Sequence, residues 1–130
     1  MSYRAKRECM EVAVEPACVD LRLRKGTDNT FEFILTDGAG EPVNIIDDDV
    51  VLTVRDTLGG TVQFDKTNVG GTHLDGFNGN TEFTIDKTDI DAVSEIDTTF
   101  WVYDIRRIRV GGQENVYIAG QFIIEPTLKA

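Results

Sequence analysis

The chain has few of the residues on which enzyme and metal sites depend. Its 130 residues include one histidine, His73, and two cysteines, Cys9 and Cys18. The cysteines lack the two-residue spacing and the accompanying histidines of a zinc knuckle. No nucleophile motif surrounds His73, and an isolated histidine is usually an exposed side chain. We therefore expect no enzyme activity, no catalytic residue and no cofactor.

Long apolar runs are also missing. No stretch approaches the eighteen or so apolar residues of a membrane helix, and the first ten residues lack the hydrophobic region of a signal peptide. We expect no membrane partner and synthesis in the cytosol, where Cys9 and Cys18 stay reduced. A Cys9–Cys18 disulfide is the alternative, in a particle that later leaves the cell.

Basic residues are outnumbered, and the formal net charge is −10. Residues 1–30 are slightly basic, so the acidic excess lies in the remainder, which repels phosphate backbones and argues against nucleic-acid binding. The acidic clusters could offer oxygen ligands to calcium but do not match an EF-hand. We expect solvated acidic loops and no metal site; the clusters are Asp47–Asp49 and Asp86, Asp89 and Asp91.

What the sequence has in abundance is strand alternation and turn chemistry. Alternation over 18–24 and 31–36 predicts a first hairpin, and strands at 50–55 and 61–65 around Thr57–Gly60 predict a second. A glycine-rich loop follows at 66–80, then a strand over 81–85 and one or two helical turns within 86–96. Residues 98–110 predict the longest strand, with Trp101, Tyr103 and Ile105 on one face and both faces buried. A last strand covers 115–124.

Length and pattern together predict an all-β fold, an immunoglobulin-like antiparallel β-sandwich with one short helix. Residues 1–17 read as an extended N-terminal arm and residues 18–130 as the β-sandwich domain. Such an arm can add a strand to an exposed sheet edge of a neighbouring subunit. Five candidate interaction residues follow, from the arm and from the glycine-rich loop: Arg4, Lys6, Arg7, His73 and Phe77.

Five segments carry a resemblance to a known family. They are Phe31-Glu-Phe-Ile-Leu-Thr-Asp-Gly-Ala-Gly-Glu-Pro-Val43, Val51-Leu-Thr-Val-Arg-Asp56, the strand and short helix from Phe83 to Val93, Trp101-Val-Tyr-Asp-Ile105, and Val116-Tyr-Ile-Ala-Gly-Gln-Phe-Ile-Ile124. In order and spacing, over about residues 18–126, they resemble small phage structural domains, such as the N-terminal domain of siphophage baseplate upper proteins. This chain differs from that pattern in its N-terminal arm and in having no long fibre-forming extension.

The resemblance implies a non-enzymatic structural subunit of a tailed-bacteriophage virion, assembled in the host cytoplasm, that docks tail, baseplate or fibre components. Its implied partners are other phage structural proteins and further copies of itself, as a homo-oligomer. Capsid decoration on the phage head is the alternative. A carbohydrate-binding module is the alternative from another class, and it requires Trp101, Tyr103 or Tyr117 to stack on sugars from an exposed face. For Arg106, Arg107 and Arg109 we expect a solvated face that pairs with the surplus acids.

Overall fold

A computed structural model describes residues 17–126, and these form an all-β structure. The strands in chain order are β1 (Ala17–Cys18), β2 (Leu21–Arg24), β3 (Asn29–Ile34), β4 (Asp49–Arg55), β5 (Val62–Asn68), β6 (Asn80–Ile85), β7 (Thr99–Ile108) and β8 (Glu114–Glu125). Two short 3₁₀ turns, Gly76–Asn78 and Lys87–Ile90, complete the described elements. Ala17, assigned to the arm above, is thus the first residue of β1.

The strands form two sheets of unequal size. The large sheet has the order β1-β8-β7-β4-β5, with β2 also paired to β8, while β3 and β6 form a two-stranded antiparallel sheet. β1 and β2 run parallel to β8, and the other pairs are antiparallel. The first and last strands of the described chain therefore lie side by side.

The predicted first hairpin is wrong, because β2 and β3 belong to different sheets. The turn between them carries Lys25, whose side chain is buried and whose Nζ donates to the carbonyls of Asp91 at 2.7 Å and Val93 at 3.0 Å. These two hydrogen bonds hold the turn against the segment that follows the 3₁₀ turn Lys87–Ile90. The chain consequently passes from one layer to the other instead of reversing within a sheet.

The second predicted hairpin is confirmed, with β4 paired to β5 across the Thr57–Gly60 turn. β5 extends to Asn68, so the glycine-rich loop begins at Val69. The helical turn predicted within 86–96 is the 3₁₀ turn Lys87–Ile90, which a capping box of Asp86 and Asp89 begins. Ile90, at its end, is fully buried.

The core lies between the two sheets. Its members come from both layers, for example Leu52, Ile105 and Phe122 from the large sheet and Phe33 and Phe83 from the small one. Aromatic rings join the layers, since the ring of Phe33 lies 6.3 Å from that of Tyr103 in the facing sheet. Burying each such side chain contributes roughly 1.5–3 kcal/mol.

β7 confirms one face of the longest predicted strand and corrects the other. Tyr103 and Ile105 are buried, and Trp101 packs against the core. The opposite face was also expected to be buried, yet Phe100 is 59% exposed. No second layer covers that face among residues 17–126, and its central positions carry charges, Asp104 and Arg106.

Two further expectations, on the cysteines and on membrane helices, can also be compared with the structure. Cys18 is disulfide-bonded, so the expected reduced thiol is wrong there, while Cys9 lies outside the described residues. No helix within residues 17–126 is both long and apolar enough to cross a membrane.

Candidate interaction surfaces

The five predicted interaction residues divide between the two parts of the chain. Arg4, Lys6 and Arg7 lie outside the described residues. His73 and Phe77 lie in the loop of residues 69–79, which joins β5 to β6. Phe77 is 66% exposed, as an interaction residue must be, and neighbouring Leu74 is 56% exposed. The loop thus presents apolar side chains to solvent.

His73 is not the exposed side chain expected above, and both of its ring nitrogens are engaged. Nε2 lies 2.7 Å from the carbonyl oxygen of Asp48, which can only accept, so Nε2 carries the proton. In the neutral ring Nδ1 then accepts from the Thr81 hydroxyl at 2.9 Å. That hydroxyl oxygen in turn accepts from Asn68 Nδ2 at 2.8 Å. His73 is therefore a structural link between its loop, β5, β6 and the Asp48 segment.

Asp48 and Arg107 form a buried ion pair beside this link. Arg107 Nε donates to Asp48 Oδ2 at 2.7 Å, and the two side chains are only 11% and 10% exposed. The other guanidinium nitrogens donate to the Tyr117 hydroxyl and to the carbonyl of Asn44, each at 3.1 Å. Desolvation lowers the pKa of Arg107, but hydrogen bonds and charge from Asp48 and Tyr117 outweigh it and raise the pKa overall.

This pair corrects two expectations. Arg109 is exposed, as expected, and Arg106 pairs with an acid, since its Nη1 donates to Glu114 Oε1 at 3.1 Å, although its side chain is only 27% exposed. The solvated face is wrong for Arg107. The solvated acidic loop is likewise wrong for Asp48. The sequence does contain a pattern that predicts the burial of Arg107. It continues the alternation of Tyr103 and Ile105, which places it on the core side of the strand. Tyr117 reaches it because the β7–β8 register shifts there and leaves Tyr117 without a partner opposite.

Backbone contacts hold the loop of residues 69–79 against the segment before β4. The amide of Ile45 donates to the carbonyl of Gly76, and that of Gly71 to the carbonyl of Ile46, each at 2.8 Å. Gly79 closes the loop with a φ of 72°, and a Cβ there would lie 2.6 Å from the carbonyl oxygen of Leu35. Only glycine fits such a position without displacement. The loop is thus fixed in place against the segment before β4.

The aromatic residues needed for sugar stacking are engaged elsewhere. Tyr103 is 3% exposed and donates its hydroxyl hydrogen to the carbonyl of Val19 at 2.5 Å. Burial, followed by the charge of Asp20, raises the pKa of Tyr103. Trp101 stacks on Phe122 at 6.4 Å between ring centres, and the Tyr117 hydroxyl accepts from Arg107. These three residues give no exposed aromatic platform, so the carbohydrate-binding alternative loses its support.

The small sheet presents a surface that the sequence reasoning missed. Glu32 of β3 and Glu82 of β6 lie directly opposite each other, and both are exposed. Asn80 Nδ2 donates to Glu32 Oε2 at 2.6 Å, but neither carboxylate forms an ion pair with a Lys or Arg of residues 17–126. The sequence does not predict that β3 pairs with β6, so it does not predict that these two glutamates lie opposite each other.

Within residues 17–126 no group of three or more histidine, cysteine, aspartate or glutamate side chains is arranged to hold a metal ion. A cavity of about 130 Å³ lies beside His73, lined also by Ile46, Gly71 and Gly76.

Neither a protein-family model nor a curated protein sequence matches the chain. Assignment of a role therefore depends on the architecture and surfaces described above.

Proposed function

We propose that this chain is a non-enzymatic structural subunit of a tailed-bacteriophage virion, which docks tail, baseplate or fibre components through its strand edges and N-terminal segment. The observation that carries the proposal is how the five segments that resemble phage structural domains map onto the framework. They supply most of β3 and of β4, the second half of β6 with the 3₁₀ turn after it, the centre of β7 and most of β8. The segments that carry the resemblance therefore coincide largely with strands of the two sheets.

The proposal includes an immunoglobulin-like topology. If β3 to β8 are assigned in order as strands B, C, C′, E, F and G, the large sheet reads G-F-C-C′ and the small sheet reads B-E. This is the division of strands that variable-type immunoglobulin domains use. Domains of this kind have open edges at which further strands can pair, which suits repeated docking in a particle.

A role without catalysis is supported by the side chains that could carry chemistry, because they are bound in structural hydrogen bonds. His73, the only histidine of the sequence, has both ring nitrogens in structural hydrogen bonds. The buried Asp48–Arg107 pair is likewise bonded to its surroundings within the fold. Docking by many identical copies needs no reactive group, because symmetry multiplies a modest interface.

Electron microscopy of particles from the phage that encodes the chain tests the proposal. An epitope inserted between Gly111 and Gly112, in the exposed β7–β8 turn, gives an accessible label. We expect antibody density on the tail or baseplate. Density on the head would assign the chain to capsid decoration instead, and purified particles that lack the chain by mass spectrometry would overturn the structural role.

A further inference from the structure

No strand among residues 17–126 pairs with the outer edge of the small sheet at β3. The amide of Leu35 donates to the carbonyl of Gly79, which fixes the alternation of the β3–β6 ladder. By that alternation, the backbone groups of Thr30, Glu32 and Ile34 point away from β6. Within residues 17–126, β3 pairs only with β6. The outer edge of β3 therefore offers three residues with free N–H and C=O groups.

The equivalent edge of β6 is covered, which makes β3 the open side. Asn68 Nδ2 donates to the carbonyl of Glu82 at 2.8 Å. Asp75 and Asn80 exchange two backbone hydrogen bonds at 3.0 and 2.9 Å. These contacts, one from β5 and two from the loop of residues 69–79, occupy outward-facing backbone groups of β6. On the opposite side, a groove of about 370 Å³ separates β2 from the start of β3, lined by Leu23 and Asn29 among others.

The charge on this open edge indicates what it would bind. Glu32 and Glu82 face each other at a non-hydrogen-bonded position of the ladder, where opposed side chains come closest. Two like charges at such a position destabilise the pair. A strand added beside β3 with a Lys or Arg opposite Glu32 would supply the missing cation.

The sequence contains one segment with that pattern in the residues outside the described range. Arg4 and Lys6 are two positions apart, so they share one face of an extended strand. Residues 1–7 carry three basic side chains and no acidic one, although the whole chain has a net charge of −10. Pairing of this segment with β3 places Arg4 and Lys6 on the face of Glu32 and Glu82 in one of its two alternations, and the charges favour that one.

We propose that residues 1–7 of a second copy of this chain add as a strand to the free edge of β3, with Arg4 and Lys6 beside Glu32 and Glu82. Antiparallel addition would continue the ladder of the small sheet, and a strand antiparallel to β3 runs in the direction of β1 and β2. A segment of the same chain would have to return along the full length of β3 before entering β1. Residues 8–16 hold one common turn residue, Pro16, for the two reversals of that path, whereas a neighbouring copy needs none.

This inference deepens the proposed function, on which it rests, by naming one edge and its occupant. It predicts self-association of the purified full-length chain, measured by sedimentation equilibrium in one buffer for all variants. Reversal of the donor charges, Arg4→Glu with Lys6→Glu, should raise the dissociation constant about tenfold or more. Glu32→Lys with Glu82→Lys should do the same, and combination of all four changes should restore association.

Asp65→Lys is the matched control for the single variant Glu32→Lys, because it makes the same charge change at an exposed position of β5, an edge strand of the large sheet, and should leave association unchanged. The single change Glu32→Lys separates docking from folding. It should raise the thermal midpoint, because it removes the like-charge pair, while it weakens association. A purely structural role for Glu32 would give no loss of association.

A peptide of residues 2–8, added in excess, should dissociate the assembled chain. A full-length chain that stays monomeric at millimolar concentration would overturn the inference, as would failure of the fourfold charge exchange to restore association. Neither result bears on whether the chain is present in virions, so the proposed function is tested separately by the particle labelling above.

Discussion

Replacement of Arg107 by leucine is the most demanding test of the packing described here. In the native chain the guanidinium is bonded to Asp48, Tyr117 and the carbonyl of Asn44. Arg107→Leu leaves the Asp48 carboxylate, only 10% exposed, without its cation. Breaking one side of a buried ion pair costs about 3–5 kcal/mol, because the remaining charge stays desolvated. For a domain of this size that corresponds to a fall of roughly 10–20 °C in the thermal midpoint.

Arg106→Leu provides the matched control on the neighbouring residue. Arg106 pairs with Glu114 at 3.1 Å and lies 3.7 Å from Asp104, but these side chains are all partly exposed, Glu114 by 48% and the other two by 27%. Exposed pairs contribute at most about 1 kcal/mol, so this variant should unfold close to the wild-type midpoint. Both variants can be measured by urea denaturation, with the fluorescence of Trp101, the only tryptophan, as the signal.

The double variant Arg107→Leu with Asp48→Leu completes the cycle. Because it removes both charges together, it should be more stable than either single variant. The reasoning would be refuted if Arg107→Leu cost less than about 1 kcal/mol, or no more than Arg106→Leu. A double variant as unstable as the sum of the two singles would refute the coupling in particular.

Three further predictions concern other parts of the fold. His73→Ala should cost about 1–3 kcal/mol in urea denaturation, because it leaves the Asp48 carbonyl and the Thr81 hydroxyl without their ring partner. Gly79→Ala should lower the thermal midpoint more than Gly112→Ala. Both glycines have a positive φ, but only at Gly79 would a Cβ meet backbone atoms. Equal losses in the two variants would contradict the close approach at Gly79. Burial raises the pKa of Asp104, so ionised Asp104 lowers stability as pH rises through that pKa. Asp104→Asn should therefore be more stable than wild type near pH 7, with the difference disappearing in acid, as thermal scans from pH 3 to 8 would show.

Local alternation made the faces of individual strands predictable. Phe33 and Leu35 are buried and Ile34 is 53% exposed, as the pattern over 31–36 indicates. Turn residues likewise located the β4–β5 hairpin at Thr57–Gly60. These features depend on neighbours within a few residues, where side-chain period and turn chemistry decide the outcome.

Partners in sheet pairing could not be predicted in the same way. The pairing of Leu21 with Phe122 joins residues about a hundred positions apart, and alternation is identical whichever strand lies alongside. The first hairpin was mispredicted for this reason, and the Glu32–Glu82 pair was missed for the same one. The predicted exposure of His73 and Asp48 is wrong because their partners lie in other elements: Arg107 is 59 positions from Asp48, and Asp48 is 25 positions from His73.

The parallel contact of β2 with β8 has a mechanical consequence. Tension applied between the two ends of residues 17–126 would pull these adjacent strands past each other along their length. Their hydrogen bonds then share the load and must rupture together, whereas peeling from one end would break them singly. Single-molecule stretching should thus register a high unfolding force, and one well below that of a variant in which β2 can peel away would contradict this reading of the parallel pair.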